Sequence, residues 1–125
     1  MADYTVKIIE SSRELTPKER VMFKDFSNAQ KMEVVMDGDT LIMQPDTWAL
    51  CEVHNPNSKK NTDYKVIVII DKAGNKYKTG SETFIRNFID ILAEMEGATE
   101  DWSLEIYGRP SKNYEGKQFL TCSVV

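Results

Sequence analysis

Apolar residues in this chain recur mostly at every second position or in short solid runs, which is the spacing of strands. Only twice do they fall at helical spacing. Near the start, Tyr4–Ile9 (YTVKII) reads as a short strand, and Thr16-Pro17-Lys18-Glu19 is a capping box with proline at the first helical position. It predicts a short helix to about Phe26. Gln30–Met36 (QKMEVVM) follows as a strand closed by the turn Asp37-Gly38-Asp39. Thr47–His54 (TWALCEVH) is a second, ended by the polar loop NPNSKKNTD. Tyr64–Asp71 (YKVIVIID) is a third, returned through Lys72-Ala-Gly-Asn75 into Lys76–Thr79.

Ser81 then caps a helix over Glu82–Met95. Phe84, Ile85, Phe88, Ile89, Ile91, Leu92 and Met95 form its apolar face, while Glu82, Arg86, Asp90, Glu94 and Glu96 lie opposite. Two strands complete the chain, Trp102–Tyr107 (WSLEIY) and Lys117–Val125 (KQFLTCSVV). Past the N-terminal residues the order is three strands, one helix, two strands. That predicts a mainly β fold with helices: a five-stranded, OB-fold-like Greek-key barrel with one helix between strands three and four, plus the short N-terminal helix. Residues 1–27 are then an N-terminal strand/helix appendage, and residues 28–125 the OB-like domain.

Composition narrows the class. The 125 residues suffice for one domain with a proper core. Their 41% hydrophobic and 29% charged content is that of a globular chain. No apolar run approaches the roughly 18 residues of a membrane span, and no secretory signal is visible at the start. Cys51 and Cys122 sit within apolar strands and read as buried reduced thiols, in keeping with a reducing cytoplasm. The net charge of -4 hides a segregated pattern. Residues 51–80 hold six lysines and three acids, whereas residues 81–106 hold one arginine and seven acids.

Strand alternation assigns side chains to faces. With Ala49, Cys51 and Val53 inward, Trp48, Leu50, Glu52 and His54 face out. With Leu104, Ile106, Leu120, Cys122 and Val124 inward, Tyr107, Phe119, Thr121 and Ser123 face out. Trp48, Tyr107 and Phe119 are thus outward aromatics, interleaved with Lys59, Lys60, Lys65, Lys76 and Lys78 on one side. On the other lies the loop carrying Arg109, Lys112, Tyr114 and Lys117, and Tyr77 sits on the return strand. Aromatic platforms beside a cationic groove suit single-stranded nucleic acid, because every base offers a π-face and lysines follow the phosphates.

The segment YKVIVIIDKAGNKYKTGSETFIRNFIDIL and the ending RPSKNYEGKQFLTCSVV resemble the small single-stranded-DNA-binding proteins of tailed bacteriophages. The shared pattern is a hydrophobic strand, a D-x-x-G turn with a tyrosine on the return strand (Asp71 to Tyr77), a helix, and a closing S-x-x-x-x-G-K-x-F strand pair (Ser111 to Phe119). The resemblance covers residues of about 28–125. It implies an OB-fold that coats exposed strands during phage DNA replication or recombination in the host bacterial cytoplasm. No catalysis or cofactor is implied, and replication or recombination proteins are its implied partners. Many bacterial single-strand binders end in an acidic recruiting tail, whereas this sequence ends in the strand-like SVV.

No catalytic set is legible. His54, the only histidine, reads as a solvated loop residue. Asp37, Asp39 and Asp46 lack the spacing of a calcium loop, and Gly108 to Lys117 fails the phosphate-loop spacing. The alternative to DNA binding is a protein-interaction module that works through the acidic helix and the N-terminal region. RNA binding by the same groove is a third option.

Overall fold

Val66, Ile67, Val68 and Ile69 are all buried, although their side chains point alternately to opposite faces of one strand. A strand buried on both sides belongs to a sheet covered on both sides. The computed structural model describes residues 5–32, 40–56, 63–98, 101–110 and 118–125, without the side chains of residues 109, 110, 118 and 119. In it the strand lies at the centre of a five-stranded sheet.

The strands are β1 (Thr5–Ser11), β2 (Gln30–Lys31), β3 (Thr40–Met43), β4 (Pro45–His54), β5 (Asp63–Asp71), β6 (Lys76–Thr79), β7 (Leu104–Pro110) and β8 (Gln118–Val124). The larger sheet has the order β1-β4-β5-β6-β2, antiparallel except for the parallel β6–β2 pair. The smaller one has the order β3-β7-β8. The chain passes between the sheets at Gln44, so that β3 and β4 form a nearly continuous strand broken only there, just before Pro45.

Two helices close the structure. Helix α1 (Pro17–Lys24) begins with the expected reciprocal cap, in which Glu19 N–H donates to Thr16 Oγ1 at 3.2 Å and Thr16 N–H donates to the Glu19 carboxylate at 2.9 Å. Its Phe23 is 1% exposed and packs with Leu15 on Ala49, Val53, Val66 and Val68. Helix α2 (Glu82–Met95) covers the opposite face, capped where Phe84 N–H donates to Ser81 Oγ. Phe84 and Phe88 stack at 5.8 Å and join Leu50, Ile67 and Ile69 with Leu104, Ile106 and Leu120 of the smaller sheet. Among the described residues no helix is long and apolar enough to cross a membrane.

The β5–β6 turn is held by Asp71, which is buried and whose carboxylate accepts from Asn75 N–H at 2.7 Å and from the Asn75 side chain at 3.2 Å. Gly74 takes φ +91°, a conformation glycine adopts without a Cβ penalty. Cys51 and Cys122 are free and buried, and burial pushes their thiols up to about 11 and about 12, so both stay protonated near neutrality.

Several expectations are corrected. The described strands number eight, one more than the seven strand segments expected, and lie in two sheets of five and three strands. Thr40–Met43 is a strand where none was expected, and Gln30–Met36 is described as a strand only at Gln30–Lys31, with the Asp37-Gly38-Asp39 turn outside the described residues. In the N-terminal segment, β1 pairs with β4 along its length, and Leu15 and Phe23 belong to a core cluster. Leu50 and Thr121, expected to face out, are buried, whereas Val124, expected inward, is 42% exposed. His54 is exposed as expected, at the end of β4, with its Nδ1 2.7 Å from the Asp63 carboxylate.

Phe23→Ala is expected to lower unfolding free energy by about 3–5 kcal/mol in a denaturant titration, because it empties the space between α1 and the sheet. Glu19 is held at about 2, below its ordinary 4.5, by its hydrogen bond from Arg13 and then by the Thr16 N–H. A carboxylate with a depressed pKa stabilises the fold above its unfolded value, and that contribution is lost as pH falls through the folded value. Thermal unfolding of Glu19→Gln should therefore show a flatter loss of stability than the parent between pH 4.5 and about 2.

Candidate nucleic-acid interface

Alternation in β5 and β6 puts Tyr64, Val66, Lys76 and Lys78 on the face that carries α1. Helix α1 covers part of this face, and the segment after it runs back over β6. Lys76 fixes that segment by donating to the backbone carbonyls of Met22 and Asp25 and to Asn28 Oδ1, the last two at 2.6 and 3.0 Å. Lys78 donates to the Phe26 carbonyl at 2.9 Å, and its ammonium lies 5.7 Å from the centre of the Phe26 ring. Cations near the end of α1 also suit the negative end of its dipole. Burial lowers the Lys76 pKa, while Asp25 opposes the shift.

Beyond this clamp the face opens into a groove of about 710 Å³. Phe26 and Tyr64 supply its aromatic surface, Lys31 and Lys78 its cations, and Val66 and Gly80 its floor. A volume of this size lies within the range of small-ligand sites, roughly 300–1,000 Å³. A flat ring with an attached anion matches the chemistry, since the rings offer stacking surface and the ammonium groups offer charge. Lys31 is exposed, and Tyr64 is half-buried.

The expected site residues fare unequally. Trp48 is half-buried and meets Phe88 of α2 edge-on at 5.9 Å, on the sheet face opposite the groove. It is packing surface for the helix rather than an outward platform beside the lysines. Tyr77 is 7% exposed within the same core cluster, so its ring offers no face to a ligand. Lys76 and Lys78 lie on the groove side but hold the 22–28 segment. Lys65 is exposed and faces the other way, beside Glu52 and Arg86. Tyr107 is half-buried, with its hydroxyl 2.8 Å from Ser123 Oγ. Arg109 and Phe119 are register partners across β7 and β8. Lys59, Lys60, Lys112, Tyr114 and Lys117 lie outside the described residues.

Phe26, Lys31 and Tyr64 are the groove residues that sequence reasoning missed. Tyr64 stood at the start of a recognised strand, and its phase opposite Ile67 and Ile69 was the available signal. Phe26 and Lys31 carried none, because Phe26 is held by Lys78 and Lys31 by the pairing of β2 with β6, contacts between residues some fifty apart in sequence. Among the described residues no cluster of three or more His, Cys, Asp or Glu could hold a metal ion. No family model, curated protein or solved structure matches this chain.

Lys76→Met keeps the aliphatic stem but removes the ammonium from three oxygen acceptors. The expected result is faster amide exchange in the 22–31 region at unchanged exchange in α2. The accompanying loss of stability should be about 1–3 kcal/mol by denaturant titration.

Proposed function

We propose that this chain binds single-stranded DNA with little regard to sequence, on an OB-type frame, and coats exposed strands during replication or recombination. The observation that carries this reading is the groove on the β5–β6 face, where Tyr64 and Phe26 lie beside Lys31 and Lys78. Strand connectivity supports the frame. The bent β3–β4 strand pairs at one end with β7 and at the other with β5; β5 continues into β6, α2 follows, and β7 leads into β8. Taking β3–β4 as strand one, the helix falls between strands three and four, as in an OB-fold. The edge of β6 away from β5 is taken by the two-residue β2.

In an OB-fold, strands two and three and the loops between strands one and two and between four and five form the ligand face. Strands two and three correspond to β5 and β6. The first loop carries Lys59 and Lys60 and enters β5 one residue before Tyr64; the second carries Lys112, Tyr114 and Lys117. Stacking supplies roughly 1–3 kcal/mol per base independently of base identity, and the lysines supply a salt-sensitive term.

Oligo-dT of about 25 nucleotides, longer than the roughly 4–16 covered by one OB-fold, should bind more tightly than duplex of equal length. Fluorescence anisotropy at two salt concentrations checks this. Tyr64→Ala should weaken binding several-fold, and Lys31→Ala should lower the salt slope by about 0.7. Equal affinity for duplex, or no binding at low salt, would exclude the function.

A further inference from the structure

On the opposite face of the five-stranded sheet, where β1 ends beside the C-terminal half of α2, lies a second open groove of about 580 Å³. Its floor is apolar, made by Trp48, Trp102, Ile89, Leu92 and Met95. All five are half-buried, and Trp48, Trp102, Ile89 and Leu92 pack on the core from one side and are open on the other. Ser12 fixes the floor at Trp48, accepting at its Oγ from Trp48 N–H at 3.1 Å and donating its own N–H to the Trp48 carbonyl at 3.0 Å. The edge-on contact with Phe88 sets the indole plane.

The electrostatics of this groove have one sign. Glu10 and Glu96 stand on its rim, and no cation is among the described residues lining it. The last turn of α2 holds no basic residue, so the partial negative charge of its C-terminus is unopposed there and adds to Glu94 and Glu96. Exposed Asp101 precedes Trp102 in sequence. An apolar floor of two indoles, rimmed by carboxylates and a helix C-terminus, matches a segment with large apolar side chains on one side and lysine or arginine beside them. The same field repels nucleic acid.

We propose that this groove docks a basic amphipathic segment of a partner protein, leaving the β5–β6 face free. The aliphatic side chains of that segment would lie between Trp48 and Trp102, and its cations would meet Glu10, Glu96 and the end of α2. This site is independent of DNA binding, because the two grooves lie on opposite faces of one sheet.

The chain has two tryptophans, and both line the groove, so intrinsic emission reports on it directly. The test titrates the full chain with a synthetic Leu/Lys helix of about 14 residues, apolar at helical spacing. A scrambled peptide of the same composition and an acidic Leu/Glu version serve as controls. The expected result is a saturable blue shift with the Leu/Lys helix, absent with the acidic peptide and weakened by salt. Glu10→Lys combined with Glu96→Lys should reduce affinity by at least about tenfold, with an unchanged circular dichroism spectrum and unfolding midpoint. Equal binding of the scrambled peptide would overturn the proposal, since charge alone would then suffice. An unchanged emission spectrum at saturating peptide would also overturn it. So would concentration-dependent self-association that shifts the emission without peptide, because the occupant would then be a second copy of the chain.

Discussion

Burial of the five-stranded sheet on both faces is the constraint from which the rest of the structure follows. A sheet with Val66 and Val68 on one side and Ile67 and Ile69 on the other needs two covers. Helix α1 with Leu15 and Phe23 supplies one; α2 and the smaller sheet supply the other. A groove of about 710 Å³ lies beside the first cover and one of about 580 Å³ beside the second. The N-terminal segment is structural in consequence, since without it Ala49, Val53, Val66 and Val68 would meet water.

The two grooves differ in chemistry because the covers differ in charge. On the α1 side, lysines of β6 reach up to backbone carbonyls, and the groove beside them keeps a basic, aromatic character. On the α2 side, the helix brings its carboxylates and its own negative terminus to the rim. Of the lysines in residues 51–80, Lys76 and Lys78 thus lie across the sheet from the carboxylates that end α2, whereas Lys65 shares the face of α2. A polyanion and a basic peptide would then be drawn to opposite sides.

Element identity was largely legible in the sequence, because it rests on local signals. The capping box at Thr16, the serine cap at Ser81 and the turn glycine Gly74 each mark an end within a residue or two of where it lies. Which side of each strand meets solvent was much less legible. Alternation assigns faces only when one face is wet, and the solid runs WALC and VIVII are the mark of a strand with no wet face. Trp48 was misplaced for that reason; Tyr77, in the alternating KYKT, is the buried phase of β6. The β3 strand was missed because Pro45 interrupts what would otherwise read as one long strand, and the proline marks the passage between sheets. The groove residues Phe26 and Lys31 come together with Tyr64 only through long-range bonds, which no local pattern encodes.

Strand β1 ends the order of the larger sheet, so one of its edges faces away from β4. Its register slips by a bulge between Ile8 and Glu10, and Lys7 and Glu10 are exposed beside it. An edge strand that is bent and charged is a poor template for another strand. At high local concentration, two copies of this chain meeting edge to edge would find a bent, charged strand rather than a flat one, so β1 is a poor seed for a sheet that runs on from one molecule into the next.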